Sequence, residues 1–289
     1  MSDGRWEQPA QPLWLAELTG LVTGSTRPAD ESALPLRIEA HATLPSTNAR
    51  LMELARAGAP AGTVVIAAEQ TAGRCRLGRF WQSPPGGIWL SLLLHPCRAP
   101  EEIPALALTL GLAVAEAVAP YAGRCAVRLK WPNDLLACER KLAGLLLEST
   151  AAADGHLAVV VGLGLNAAVQ PELLPPTAVS LTELRGADVP LATLAASVLR
   201  EMRRFYLIFE RTGFRTLRAG WMRRAAWLGS HVVLYDPYAE GGAAPVTAGL
   251  LGGVADDGAL LLLHQDGTTE SIRSGELSLR LEPRSPATH

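Results

Sequence analysis

Three arginines fall within six positions of the segment Gln70-Thr71-Ala72-Gly73-Arg74-Cys75-Arg76-Leu77-Gly78-Arg79-Phe80-Trp81, which lies between two apolar runs. Guanidinium groups offer forked donors that match phosphate or carboxylate, and neighbouring glycines let backbone N–H groups approach the same oxygens. The segment suits an anion; the other reading is a solvated basic turn. Trp81 adds a face on which a base can stack. A second group, Lys130-Trp131-Pro132-Asn133-Asp134, precedes Lys141-Leu142-Ala143-Gly144. Pro132 fixes its own φ and holds Trp131 extended, so the chain turns and gathers polar groups at one sheet edge. Asn133 and Asp134 either orient a metal-bound triphosphate or form a plain turn. Lys141 is either a surface lysine or a cation held near an anionic group. A third segment, Gly162-Leu163-Gly164-Leu165-Asn166, lacks a third glycine at the required spacing, and Pro171 cuts short any helix. That excludes a dinucleotide-binding fingerprint and leaves close backbone approach to a ligand.

These groups need a scaffold, and the surrounding pattern supplies one. Ser46 or Thr47 caps a helix with Leu51, Leu54 and Ala55 on one face and Gly58 at its end. Thr63 to Ala68, Ile88 to Leu94, Val127 to Trp131, Leu145 to Ser149 and Ala158 to Leu165 read as strands, with a helix over Ala105 to Val118 between them. Apolar residues from Leu191 to Phe209 recur at helical spacing, and a second helix is expected around Trp221 to Trp227. This is a mixed-sheet α+β domain. Beyond Gly229 the texture changes to short strands with Asp257-Gly258 and Asp266-Gly267 as hairpin signals, the pattern of a small β-barrel. The expected organisation is an N-terminal extension over 1–37 with a short helix at Leu13 to Leu21, a catalytic domain over 38–227 and a barrel over 228–289.

Composition narrows the class. The chain has 289 residues, 48% of them hydrophobic and only 19% charged, which excludes a disordered chain. A net charge of −2 gives no global attraction to nucleic acid or anionic lipid. No leader or membrane span is expected: the most apolar stretch, from Ile103 to Pro120, is interrupted by Glu116. Length makes a disulfide-dependent fold unnecessary. Cys75, Cys97, Cys125 and Cys138 contain no Cys-x-x-Cys pair, so reduced thiols in a cytoplasmic protein are the expectation.

In chain order, Ser46-Thr47-Asn48, the Gly-Arg-x-Arg-x-Gly-Arg loop at 73–79 with Trp81, the Lys130 to Asp134 group, Arg140-Lys141-Leu142-Ala143-Gly144, Gly162-x-Gly164-x-Asn166 and Ser274-Gly275-Glu276-Leu277-Ser278-Leu279-Arg280 together resemble the biotin protein ligases. The resemblance covers roughly residues 38 to 282. It implies a class II synthetase-like, biotin–lipoate ligase fold with an SH3-like C-terminal barrel, in a form without the family's N-terminal DNA-binding domain, so no DNA partner. It also implies a two-step reaction. Biotin and ATP, with Mg²⁺, give biotinyl-5′-AMP and pyrophosphate; a lysine of a biotin carboxyl carrier protein, from acetyl-CoA carboxylase or another biotin-dependent carboxylase, then takes the biotinyl group.

By the same resemblance, Ser46, Thr47, Asn48 and Gln70 bind the ureido end of biotin, with Gly73, Cys75, Gly144 and Gly162 lining its pocket. Arg74, Arg76 and Lys141 act catalytically at the carboxylate and α-phosphate. Arg79, Trp81, Lys130, Asn133 and Asn166 belong to the ATP site, and Asp134 to its metal. Glu276 either faces the site or is a solvated charge at a strand start. Members of the family often pair as homodimers through the central sheet. The rival readings are a lipoate or octanoyl ligase, which needs a long apolar tunnel, and a non-catalytic biotin-binding protein. One residue departs from the pattern: Cys75 stands where the family has glycine. If that position needs positive φ, cysteine costs about 1 kcal/mol and hinders loop closure. A thiol between two arginines is also expected to have a lowered pKa.

Overall fold

The computed structural model describes residues 11–23, 34–239, 243–273 and 277–282. Glu276 lies outside them. In chain order the elements are α1 (Leu13–Thr23), β1 (Arg37–Leu44), α2 (Thr47–Arg56), β2 (Thr63–Gln70), β3 (Ile88–Leu94), α3 (Ala105–Val118), β4 (Val127–Lys130), β5 (Asp134–Ala137), β6 (Arg140–Ala151) and β7 (Leu157–Leu165). There follow α4 (Leu181–Arg185), α5 (Leu191–Thr212), α6 (Arg218–Arg224), β8 (His231–Asp236), β9 (Ala244–Val254), β10 (Leu260–Leu263), β11 (Thr269–Ile272) and β12 (Ser278–Leu281).

Seven strands form one mixed sheet in the order β1-β2-β3-β7-β6-β5-β4. Only β1 and β2 run parallel; the other neighbours are antiparallel. One face is covered by α3 and α5, and α1 packs on α5 and β1. α3 is buried nearly all round, as its unbroken apolar sequence requires, whereas α5 buries one stripe that includes Leu194, Val198, Met202 and Phe209. The opposite face carries the short α2, which seats Leu51 and Ala55 on Val65, Leu93 and Val160. Beyond the end of that helix this face is left open, and the site forms there.

The second sheet is antiparallel in the order β11-β10-β9-β8-β12, consistent with the small barrel expected from the sequence. Its two predicted hairpin turns are present, with Gly258 and Gly267 both at φ 83°. Trp131, 1% exposed, joins the sheets: its indole Nε1 donates to the Gly258 carbonyl at 3.1 Å.

Several expectations need correction. β1 has no counterpart among the expected strands, although Arg37-Ile38-Glu39-Ala40-His41-Ala42-Thr43-Leu44 alternates polar and apolar at every position. The segment read as a turn after Lys130 is a hairpin whose return strand is β5. β6 begins at Arg140, five residues before the expected Leu145, because pairing with β5 and β7 extends it past its polar start. Cys125 and Cys138 are joined in a disulfide rather than reduced; Val127 pairs with Ala137, so the two cysteines flank paired strands with Cα atoms 5.5 Å apart. Cys75 and Cys97 are free.

Replacing Trp131 with Phe keeps most of the apolar contact and leaves the buried Gly258 carbonyl without its donor. We expect a loss of about 1–3 kcal/mol, read as a lower urea midpoint.

Candidate functional site

The site is a cavity of about 460 Å³ on the open face of the mixed sheet, walled by the arginine loop, the β4–β5 hairpin, β6, β7 and the N-terminus of α2. At the α2 end its polar groups are buried. Ser46 caps the helix, its hydroxyl accepting from Ala49 N–H at 3.3 Å. The cap turns Thr47 and Asn48 inward, where they are 3% and 4% exposed. Gln70 accepts from Thr47 N–H at 2.8 Å and donates to Ser83 Oγ at 2.9 Å. Ser91, fully buried on β3, places its hydroxyl 2.5 Å from Asn48 Oδ1 and 2.8 Å from Thr47 Oγ1. Such a connected set of buried donors and acceptors presents a fixed hydrogen-bonding face to a ligand.

The other end is cationic. Lys141 reaches it because β6 bulges: Leu135 pairs with Ala143, but Leu136 pairs with Lys141, so Leu142 is the extra residue. Partners across a ladder share a face, so the bulge moves Lys141 to the face of Asp134 and Gly144. Its ammonium lies 2.6 Å from Asp134 Oδ1 and 4.9 Å from the centroid of the Trp81 ring. Lys130 stands 3.8 Å from Asp134 Oδ2 and over Trp227; burial pushes its pKa below the usual lysine value, against the pull of Asp134. Arg76 donates to Asn133 Oδ1 at 3.2 Å, and Asn133 in turn donates to the Leu145 carbonyl at 2.6 Å. Arg280, on β12, also lines the cavity.

Of the residues singled out in the sequence, Ser46, Thr47, Asn48, Gln70, Arg74, Cys75, Arg76, Arg79, Trp81, Lys130, Asn133, Asp134, Lys141, Gly144 and Gly162 all line this one cavity. Gly73 and Asn166 do not. Asn166, 2% exposed, donates to the Lys141 carbonyl and fixes that backbone from behind. A Cβ on Gly73 would lie 2.4 Å from the Trp81 carbonyl and 2.7 Å from Ser83 Oγ, so this glycine lets the two ends of the loop close on each other. The paired glycines of β7 both line the cavity. They seat protein side chains: a Cβ on Gly162 would lie 2.3 Å from Asn48 Oδ1, and one on Gly164 2.7 Å from the Trp81 indole.

The two expectations for Cys75 are also corrected. Its φ is −105° and ψ 175°, extended backbone that any residue adopts; the positive φ in this loop belongs to Gly78. Burial raises the Cys75 thiol pKa, outweighing the lowering by Lys141 and Arg79. Arg74 is held by Glu148, Nη2 to Oε2 2.9 Å, rather than beside Lys141. The described residues contain no group of three or more His, Cys, Asp or Glu side chains placed to hold a metal, and the Asp134 carboxylate is engaged by two lysines. Arg280, Ser91 and Glu148 were not read from the sequence individually. Only Arg280 carried a signal, as the last residue of the sixth motif.

Residues 40–166 match the biotin/lipoate A/B protein ligase family. The chain is 32% identical over 247 residues to the bifunctional ligase/repressor BirA of Bacillus subtilis, covering 83% of this chain and 73% of that protein. It is 34% identical over 225 residues to the biotin–[acetyl-CoA-carboxylase] ligase of Paracoccus denitrificans, covering 75% and 90%. The fold superposes on the Aquifex aeolicus biotin protein ligase in complex with biotin and ATP with a TM-score of 0.72 at 30% identity, over 85% of this chain and 99% of that one. With identities of 32% and 34% across 73% and 90% of the Bacillus subtilis and Paracoccus denitrificans relatives, the chain belongs to the biotin/lipoate A/B protein ligase family.

Proposed function

We infer that this protein is an ATP-dependent biotin protein ligase, which makes biotinyl-5′-AMP and passes the biotinyl group to a lysine of a biotin carboxyl carrier protein. The observation that carries the reading is the polarity of the cavity: fixed hydrogen-bonding groups at one end and converging cations at the other. Biotin has that polarity, with a ureido ring at one end and a carboxylate at the other. A lipoyl or octanoyl group would set an apolar chain against the polar face that Thr47, Asn48 and Gln70 form with Ser83, Ser91 and Glu148, without a group to match the remaining donor and acceptor sites of that face. The Paracoccus denitrificans relative is named for acetyl-CoA carboxylase. That supports the biotin-bearing subunit of this carboxylase as the acceptor.

In the first step a carboxylate oxygen of biotin bonds to the α-phosphorus of ATP and pyrophosphate leaves. The obstacle is like charge: two unit charges about 4 Å apart repel by about 4 kcal/mol at an effective dielectric of about 20. Lys141 and Arg76 answer it with positive charge already fixed in place. An ammonium has three donors, and Asp134 uses one to aim Lys141, leaving two for ligand oxygens. Arg79, Lys130 and Arg280 extend the positive wall toward the nucleotide, and Trp81 and Asn133 complete it. The residues present do not fit a resident metal, so Mg²⁺ belongs to the substrate as the counter-ion of ATP. In the second step the carrier's amine bonds to the acyl carbon, AMP leaves with the bonding pair, and the nitrogen gives up its proton.

Pyrophosphate exchange into ATP tests the assignment. Exchange is expected with biotin and not with lipoate; exchange with lipoate alone overturns the reading. Lys141→Ala should slow biotin-dependent exchange by about 10²-fold or more, the usual worth of one preorganised donor. Gly162→Ala displaces Asn48 and should raise the KM for biotin about tenfold or more while leaving the KM for ATP nearly unchanged, measured in the same assay.

A further inference from the structure

β6 presents two charged side chains to the site face, one toward each end. Lys141 reaches that face through the bulge, and Gly144, Leu146 and Glu148 follow on it at alternate positions, paired with Gly164, Gly162 and Val160. Each charged residue meets one end of the arginine loop. Lys141 lies over Trp81, where the loop ends, and Glu148 holds Arg74, where it starts. Glu148 Oε2 also accepts from Asn48 Nδ2 at 2.7 Å. The Asn48 amide is fixed in one orientation, because Nδ2 faces Glu148 and Oδ1 takes the Ser91 hydroxyl. Glu148 does not itself line the cavity. One carboxylate therefore joins the buried polar end of the site to the loop that walls it.

We propose that Glu148 is a positioning residue of the ligase: by binding Arg74 and Asn48 together, it fastens the arginine loop over the bound biotin and adenylate. The proposal rests on the biotin ligase reading above. An exposed ion pair contributes little because solvent screens it and two long side chains must be ordered. Here the Arg74 side chain is 43% exposed, but Glu148 is three-quarters buried and its carboxylate is already held by an amide that is itself 4% exposed, so only one of the two partners needs ordering. The anchor acts on retention: with the loop closed the adenylate stays, and with the anchor cut it leaves before the carrier arrives. Arg74 serves here as the loop's tether, and Lys141 and Arg76 remain the cations turned to the ligand.

The experiment is a double-mutant cycle on the full chain with Glu148→Gln and Arg74→Gln. The amide introduced by Glu148→Gln keeps an oxygen for Asn48 and loses the charge that holds Arg74. Three quantities are read: kcat and KM for biotin in pyrophosphate exchange, the release rate of preformed radiolabelled biotinyl-adenylate, and trypsin cleavage after Arg76 or Arg79. Glu148→Gln is expected to speed adenylate release about tenfold, to raise the KM for biotin about fivefold with kcat changed less than about twofold, and to expose the loop to trypsin. The double variant should be no worse than either single one, and Arg74→Lys should restore slow release. Multiplying effects in the double variant, or wild-type release and trypsin resistance in Glu148→Gln, would overturn the proposal. Should Glu148→Gln unfold, Arg74→Gln on the exposed loop is expected to speed adenylate release and trypsin cleavage in the same way, and Arg74→Lys to restore both. Absence of biotin-dependent exchange in the wild-type protein defeats the ligase reading instead, and the trypsin comparison still decides the anchor.

Discussion

Six cations, Arg74, Arg76, Arg79, Lys130, Lys141 and Arg280, share a cavity with one carboxylate, Asp134, among the described residues that line it. Without a ligand such a cluster repels itself, and the rest of the architecture answers that repulsion. Asp134 sits between Lys130 and Lys141, so one negative charge serves two positive ones. Trp81 and Trp227 offer their electron-rich faces to the same two ammonium groups. Burial pushes the Lys130 pKa below the usual lysine value, and Asp134 opposes that shift. Four guanidinium groups line the cavity with no second carboxylate among the described lining residues, a balance that suits a polyanionic ligand.

Rigid backbone makes this crowding possible. Lys141 is held in the ladder with β5, its N–H donates to Thr177 at 2.7 Å, its carbonyl receives Val179 N–H at 3.0 Å, and Asn166 donates to the same carbonyl. The ammonium therefore hangs from a main chain that cannot retreat from its neighbours. The glycines work in the same way from the other side. Gly162 and Gly164 are flat patches on β7 against which Asn48 and Trp81 lie, so these two cavity-lining side chains rest directly on a strand. A site built on strands in this manner holds its groups more tightly than one built on loops.

The residues that chemistry needs were legible in the sequence because they sit in short local runs: three arginines in a loop, a Lys-Trp-Pro-Asn-Asp turn, a lysine before a glycine. The hairpin turns at Asp257-Gly258 and Asp266-Gly267 were legible for the same reason, since turn type is chosen by two adjacent residues. What escaped depends on register or on distance along the chain. The bulge at Leu142, which decides where Lys141 points, has no signature in its own residues. Ser91, Glu148 and the disulfide of Cys125 with Cys138 acquire meaning only when strands pair. The expected penalty at Cys75 does not arise, because a glycine in a family pattern does not by itself demand positive φ, and this loop places that demand on Gly78. β1 alone was a missed local signal: its strict alternation was there to be seen.

The Trp131 indole and the reach of β12 have a consequence for how the protein is made. Arg280 enters a wall whose other members lie between residues 74 and 141, and the Trp131 to Gly258 hydrogen bond spans 127 positions. During translation this cationic wall stays incomplete until the last described strand, which carries Arg280, has been made. Arg76 and Lys141 precede β7 and Arg280 comes from the last described strand, so this one cavity is walled by residues from both sheets.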